Sequence, residues 1–173
     1  MKTYLLPFAG LKNGGHHLDY HVDGTFFEDF PESEIQNANI HVHLIMEKQE
    51  NMLVLNFTID GVLQVTCDRC LDEFPFPIDK EETLIVKFGQ SYEEISDDVI
   101  VLPSSEHAFD LHQHIYEYIM LALPIQRIHP DNADGSSGCD PEMMERLESM
   151  KTDNAIDPRW EALAQLKKDN NTK

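Results

Sequence analysis

The prediction of the fold starts from residues 61–76, whose sequence is GVLQVTCDRCLDEFPF. Alternating apolar side chains predict a strand that ends at Thr66, followed by a tight corner from Cys67 to Cys70. The chain then returns as a second strand from Phe74. Two thiols at the two ends of a corner can both turn towards one point, so the stretch predicts a hairpin whose tip can bind a ligand.

The segments on either side of this hairpin predict an antiparallel meander that leads into the corner. Asp60-Gly61 has the composition of a turn, which divides the chain before the corner into two strands. Pro75 and Pro77 cannot donate ladder hydrogen bonds, so the return strand is expected to begin at a sheet edge or a bulge. The predicted strands are 40–47, 52–59, 62–67 and the return strand to Phe88, with a further hairpin of 3–8 and 17–22 around Asn13-Gly14-Gly15.

Helices are expected in the second half of the chain. Leu111 and Ile115 fall at helical spacing after Asp110, a residue that can cap a helix N-terminus, and Pro124 would end the helix. The predicted fold class is therefore α+β, a mostly antiparallel β-sheet or partial barrel with one packed helix at about 110–123 and C-terminal helical segments.

Three parts are expected along the chain. A β-rich core domain at 1–124 ends in the Leu-Ala-Leu-Pro helix, and a linker with flexible composition follows at 125–141. A C-terminal helical extension at 142–173 begins with a short helix at 142–150. A second helix is expected to start at Asp157, where proline follows the cap residue. Its apolar stripe either packs on the core or docks on a partner, and it consists of Trp160, Leu163 and Leu166.

The charge of the chain is strongly negative, with 13 Lys and Arg against 32 Asp and Glu and a formal net charge of -19. Direct binding to a nucleic-acid backbone needs clustered Lys and Arg, which this composition does not offer. An acidic surface attracts basic partners, of which ribosomal proteins are the obvious class, or it only keeps the protein soluble.

The cysteines and the apolar runs indicate a location. Three cysteines are an odd number, and without an export signal they indicate reduced thiols or metal ligands. No apolar run approaches the ~18 residues of a membrane span. We therefore expect a cytoplasmic protein without a membrane partner.

Three segments, taken together, resemble one known family. They are the Cys-Asp-Arg-Cys corner with Leu71 and Phe74, Met-Leu-Ala-Leu-Pro at 120–124, and Asp-Pro-Arg-Trp-Glu-Ala-Leu-Ala-Gln-Leu-Lys at 157–167. Their order and spacing, over about 40–168, resemble those of the YceD family, the large ribosomal RNA subunit accumulation proteins. The resemblance implies a role in the accumulation of large-subunit ribosomal RNA, without an established enzymatic activity. Members are often encoded beside a small zinc-binding protein of the large ribosomal subunit.

The corner is a candidate zinc site. Structural zinc takes four sulfur or nitrogen ligands in a tetrahedron, and Cys67 with Cys70 would supply half of a knuckle. Many family members carry several cysteines after the Leu-Ala-Leu-Pro helix, whereas this chain has Cys139 there, preceded by His129. These four residues are the expected ligands if the linker folds back. Leu71 stands where a knuckle often has glycine, which favours the alternative of two reduced thiols at a hairpin end.

Three residues of the corner are the expected contacts for a partner, namely Arg69, Asp68 and Leu71. The Arg69 guanidinium either points outward or pairs with a neighbouring carboxylate such as Asp68 or Asp72. No catalytic residues are predicted, because the acidic pairs of the chain are adjacent in sequence and their side chains diverge.

The predicted function is therefore non-enzymatic. The protein is expected to support large-subunit ribosomal RNA accumulation or processing and ribosome assembly by binding a basic ribosomal protein or assembly factor, with ribosomal RNA reached indirectly. No small-molecule substrate is expected. The alternatives are a zinc-binding or metallochaperone-like module, which needs exchangeable metal, and a metal-dependent RNA-processing enzyme, which needs converging carboxylates.

Overall fold

Strands are the main elements of the protein. The computed structural model describes residues 4–150. Six strands of this range form one sheet in the order β2-β3-β4-β5-β7-β6, and β1 and β8 form a separate antiparallel pair. The neighbours in the larger sheet are antiparallel except for β5 and β7, which confirms the predicted α+β class with a mostly antiparallel sheet. The elements are β1 Leu5–Pro7, β2 Gly14–Asp23, α1 Gly24–Phe27, β3 Ala38–Lys48, β4 Met52–Thr66, β5 Glu73–Gly89, β6 Glu93–Ser96, β7 Val99–Pro103, β8 Ala108–Asp110, α2 His112–Leu121 and α3 Pro141–Ser149.

β4 is one continuous strand of 15 residues, so the predicted turn at Asp60-Gly61 is wrong. Gly61 has a φ of +150°, a conformation that residues with a side chain rarely adopt, and it lies in register with Ile40 of β3. A Cβ atom at this position would collide with the backbone oxygen of Asn39. The glycine therefore permits a close approach of two strands, which is a second use of glycine besides a turn.

The hairpin predicted around Gly14 is also wrong. β2 begins at Gly14 and pairs along its whole length with β3. β1 pairs instead with β8, where Leu6 lies opposite Phe109 and both side chains are buried. The 11 residues of β3 offer β2 a longer hydrogen-bonded ladder than the 3 residues of β1.

The start of β5 lies at an edge of the sheet, as its prolines predict. β5 pairs with β4 along most of its length, whereas β7 pairs with it only from Ile85 onward. Gln64 of β4, which lies opposite Pro75, donates its N–H to the Asn37 carbonyl on the other side of β4 at 2.9 Å. Pro75 therefore occupies a non-hydrogen-bonded position relative to β4, and Pro77 does the same two residues later. No ladder bond is lost at either proline.

The core contains alternate side chains of the central strands and one face of α2. The predicted packed helix is confirmed as α2, whose first N–H, on His112, donates to Asp110 Oδ1 at 2.9 Å. The ring of Tyr118 packs edge-on against Phe57 of β4, with centroids 5.2 Å apart. Each buried Leu, Ile or Phe contributes about 2 kcal/mol. The buried strand residues include Ile40, Val42, Leu44, Met46, Leu53, Leu55, Phe57, Ile59, Leu84 and Val86.

The chain divides into two compact units after His129. All the described strands lie in the first unit, and α3 lies in the second, where the Asp140 carboxylate accepts hydrogen bonds from the first turn of the helix. The short helix expected at 142–150 corresponds to α3. The domain boundaries at 124 and 141 stay a prediction, and the helix expected from Asp157 lies outside the described residues. None of the helices between 4 and 150 is long and apolar enough to span a membrane.

Candidate metal centre

The Cys corner is a tight turn closed by its own backbone. The Cys67 N–H donates to the Asp72 carbonyl at 2.9 Å, and the Leu71 N–H donates to the Cys67 carbonyl at 3.0 Å. The Arg69 N–H donates to Cys67 Sγ at 3.4 Å. A backbone N–H directed at a sulfur favours the thiolate form of that sulfur.

Leu71 adopts a left-handed backbone conformation, with a φ of +67°. Among the described residues, Leu71 is the only one other than glycine that has a positive φ. This conformation costs about 1–2 kcal/mol for a residue with a side chain. Its side chain is 69% exposed. Leucine therefore adopts the conformation for which glycine is the usual residue, and its presence does not prevent the turn.

Asp68 connects the corner to the segment that follows α2. Its N–H donates to the Arg127 carbonyl at 2.7 Å, and its Oδ2 accepts the Arg127 N–H at 2.6 Å. The Arg127 guanidinium forms an ion pair with Glu34 Oε2 at 3.1 Å. Sequence reasoning missed Arg127, because its contacts with Asp68 use mainly backbone atoms, which leave no signal in the residue type.

His129 lies two residues after this connection and reaches the corner with its ring. Its Nδ1 atom is 3.4 Å from Cys70 Sγ. The ring also packs against the buried ring of Phe74, with centroids 4.5 Å apart. The first unit by itself thus holds two thiols and one imidazole at the end of its central hairpin.

The thiol of Cys67 is more acidic than an ordinary cysteine thiol. Burial of the thiol raises its pKa, but hydrogen bonds from the N–H groups of Cys70, Arg69 and His129, together with the His129 side chain, lower the pKa of Cys67 to about 6. The thiolate is the form that binds a metal.

The structure brings together three of the four residues predicted as metal ligands, and these three belong to the first unit. The Sγ atoms of Cys67 and Cys70 and a ring nitrogen of His129 lie within 4.8 Å of one another. Cys139, the fourth predicted ligand, belongs to the second unit. All three cysteines are buried. In a zinc tetrahedron with 2.3 Å bonds to sulfur, neighbouring sulfurs lie about 3.8 Å apart, so a contraction of at most about 1 Å would bring the two sulfurs to that spacing. Three thiols and one imidazole form one of the donor sets that structural zinc takes, so these residues can hold a metal.

The residues predicted to contact a partner lie at the same tip of the hairpin. Arg69 and Leu71 are exposed. In the described part of the chain, no ion pair joins Arg69 to the carboxylates of Asp68 or Asp72, and Asp68 instead lies 3.8 Å from the guanidinium of Arg127. The guanidinium of Arg69 is therefore the outward-pointing alternative of the two that the sequence left open.

Fold and site together define an acidic, mostly antiparallel β-protein whose central hairpin ends in a cysteine- and histidine-bearing tip. The chain belongs to the YceD family, because the family model described as large ribosomal RNA subunit accumulation protein YceD matches residues 55–167. This confirms the resemblance found in the sequence. The family is named for the accumulation of large-subunit ribosomal RNA. Comparisons with curated proteins and with solved structures gave no match.

Proposed function

We propose that this chain is a non-enzymatic cytoplasmic factor that supports large-subunit ribosomal RNA accumulation and processing by binding a basic ribosomal protein or assembly factor. Membership in the YceD family supports the ribosomal part of the proposal. The observation that carries the binding part is the exposed tip, where Arg69 and Leu71 are exposed on the turn that also contains Cys67 and Cys70.

The proposal includes a structural zinc ion held by Cys67, Cys70, His129 and Cys139. The donor set supports it, as does the 4.8 Å limit on the distances between the ligand atoms of Cys67, Cys70 and His129. Zinc would cross-link the corner and thereby contribute folding free energy to it. The three thiols are buried, which favours a structural ion over one that is passed to another protein.

The exposure and the backbone conformation of Leu71 do not contribute to the stability of the folded chain, which favours a role in binding. It is exposed, and its left-handed backbone conformation disfavours leucine. A partner that covers a leucine side chain regains about 1.5–3 kcal/mol from its burial. Arg69 would add guanidinium hydrogen bonds to carbonyl or carboxylate groups, and the partly exposed carboxylate of Asp68 would lie beside them.

The net charge of -19 supports a basic partner. The negative charge of the chain accelerates association with basic partners. It disfavours acidic partners, including the phosphate backbone of RNA. Ribosomal RNA would then be affected through the protein that this factor binds.

An affinity pulldown with the full chain, at moderate salt and with or without RNase, tests the proposal. We expect basic ribosomal proteins to stay bound after RNase treatment, and the double variant Arg69→Ala/Leu71→Ala to lose them. The matched control is Ile45→Ala/Lys87→Ala, which removes one apolar and one basic side chain from the sheet instead of the tip. Loss of all ribosomal proteins with RNase would contradict direct protein binding.

Two further measurements separate the alternatives. Turnover of precursor RNA by the purified chain would contradict the non-enzymatic part of the proposal. Rapid loss of zinc to a competing chelator, without loss of the fold, would favour a metallochaperone-like module.

A further inference from the structure

A wide groove with a volume of about 1340 Å³ lies in the first unit, lined by parts of α2, β7, β8 and the segment around β6. None of the metal-ligand residues lines it. It is therefore a second feature of the protein, separate in its residues from the tip of the hairpin.

Apolar side chains are exposed along this groove. Leu121 at the end of α2 is 68% exposed, and Ile95 in β6 is 56% exposed. The ring of Tyr92 is also about half exposed. Exposed apolar residues that share one groove are typical of an interaction site rather than of an ordinary surface.

The charged residues of the groove are acidic. Seven carboxylates line it, and within the described residues no Lys or Arg does. Its basic side chain is His114, and burial lowers the pKa of His114 although Glu117, Glu94 and Asp110 act in the opposite direction. Burial therefore disfavours the charged imidazole, which limits how far His114 can offset the negative charge of the groove.

Tyr118 adds a polar group that lacks a partner. Its side chain lines the groove, its residue is only 6% exposed, and its Oη atom has no hydrogen-bond partner in the described structure. Burial and the carboxylates of Glu82, Asp98 and Glu117 raise the pKa of Tyr118, so the hydroxyl stays protonated beside these three charges. A buried polar atom without a partner costs about 1–3 kcal/mol, which a bound donor would recover.

We propose that this groove, which we call the acidic groove, binds an amphipathic Lys/Arg-bearing segment of a partner protein. The apolar side chains of the segment would cover Leu121, Ile95 and Tyr92, and its cations would pair with Asp98 and Glu117. The Tyr118 oxygen is covered in the unbound chain, so an ammonium group near these carboxylates would donate to it only after a local side-chain movement uncovers it. This inference rests on the proposed function, because it assigns a binding surface to the basic partner. The same carboxylates disfavour RNA as the occupant of the groove.

A synthetic helical peptide tests the acidic groove directly. The probe is a fluorescein-labelled peptide with Lys on one face and Leu on the other, titrated with the full chain and followed by fluorescence anisotropy. We expect Asp98→Asn/Glu117→Gln to weaken binding by about tenfold or more, because two charge pairs are lost.

The matched control is Glu47→Gln/Asp60→Asn, which removes the same charge from exposed positions of β3 and β4 outside the acidic groove. Its affinity should stay within about twofold of the original chain, because distant surface charges are screened. Equal weakening by both variants, or no binding to the original chain, would overturn the inference.

Tyr118→Phe is a second variant that removes only the hydroxyl. We expect about fivefold weaker binding of the peptide, together with a Tm that is unchanged or higher, because the unpartnered buried oxygen is gone. A purely structural tyrosine would give the opposite result, a lower Tm with unchanged affinity, and that result would contradict the role of Tyr118 in the acidic groove.

The pulldown separates this inference from the proposed function. If Asp98→Asn/Glu117→Gln captures basic ribosomal proteins as well as the original chain does, the proposed function stands and the acidic groove is not their site. If the peptide binds in the acidic groove but ribosomal proteins are not captured, the groove stands and the proposed function fails.

Discussion

Asp68 and Arg127 bind each other through two backbone-centred hydrogen bonds, one from the Asp68 N–H to the Arg127 carbonyl and one from the Arg127 N–H to Asp68 Oδ2. Since the residues are 59 positions apart, this pair connects the tip of the central hairpin to a distant part of the chain. His129 follows Arg127 by two residues, so the same pair determines where the imidazole lies.

The first prediction concerns this connection. Asp68→Ala removes the carboxylate that accepts the Arg127 N–H, and we expect the zinc affinity of the full chain to fall about 10–100-fold, the usual effect of losing a residue that orients a ligand. Competition with a zinc-binding dye measures the affinity. Asp72→Ala is the control, because only the backbone carbonyl of Asp72 takes part in closing the turn. A fall of the same size in both variants would contradict the orienting role of Asp68.

The second prediction concerns the metal itself. Purified under reducing conditions, the chain should contain about one zinc ion per molecule, and removal of the ion should lower Tm, because binding energy at a structural site is folding energy. Elemental analysis and thermal unfolding with and without a chelator measure both. Cys67→Ser, Cys70→Ser, Cys139→Ser and His129→Ala should each lower the zinc content. Full zinc content in Cys139→Ser would show that the fourth ligand is another group.

The third prediction separates stability from binding at Leu71. Leu71→Gly relieves the left-handed strain and so stabilises the folded state, but glycine also increases the entropy of the unfolded state. Because the two effects oppose each other, we expect the free energy of unfolding to rise by only about 0.5 kcal/mol. The capture of basic proteins in the pulldown should fall at the same time, since the exposed side chain is gone. Denaturant unfolding at constant zinc measures the first effect. Leu71→Asn should behave in the same way, because asparagine tolerates this backbone conformation. Retained capture by both variants would exclude Leu71 from the contact.

The fourth prediction concerns the close approach of β3 and β4. Gly61→Ala should lower the free energy of unfolding by about 3 kcal/mol, because its Cβ would collide with the backbone of Asn39 and its φ is positive. Gly15→Ala, in β2, is the matched control, since a Cβ there meets nothing within 4 Å. Chemical denaturation of both variants would measure the difference. If they lose equal stability, the space around Gly61 is not the cause.

The sequence predicts local features of this fold well where one residue type has one physical meaning. Proline lacks an N–H, and Pro75 and Pro77 lie at the sheet edge for that reason. Cysteine and histidine are uncommon residues with specific ligand chemistry, which is why Cys67, Cys70, Cys139 and His129 could be named together before any coordinates.

The sequence fails where one residue type has two meanings or where the contact uses the backbone. Asp60-Gly61 has the composition of a turn, yet Gly61 lies within β4 at a close approach. The connection from Asp68 to Arg127 depends mostly on main-chain atoms, and the acidic groove forms only when the consecutive elements β6, β7, β8 and α2 pack together. These features depend on tertiary structure, which hydrophobic periodicity does not encode.

The two prolines of β5 also affect how the protein behaves in crowded solution. A long strand edge is a template on which a strand from another molecule can be added, and this is how many β-proteins aggregate. The outward-facing positions of Pro75 and Pro77 have no N–H to offer such a strand, and exposed charges follow at Asp79 and Glu81. Uncontrolled growth of the sheet into fibres is therefore blocked beside the very tip that we expect to meet a partner.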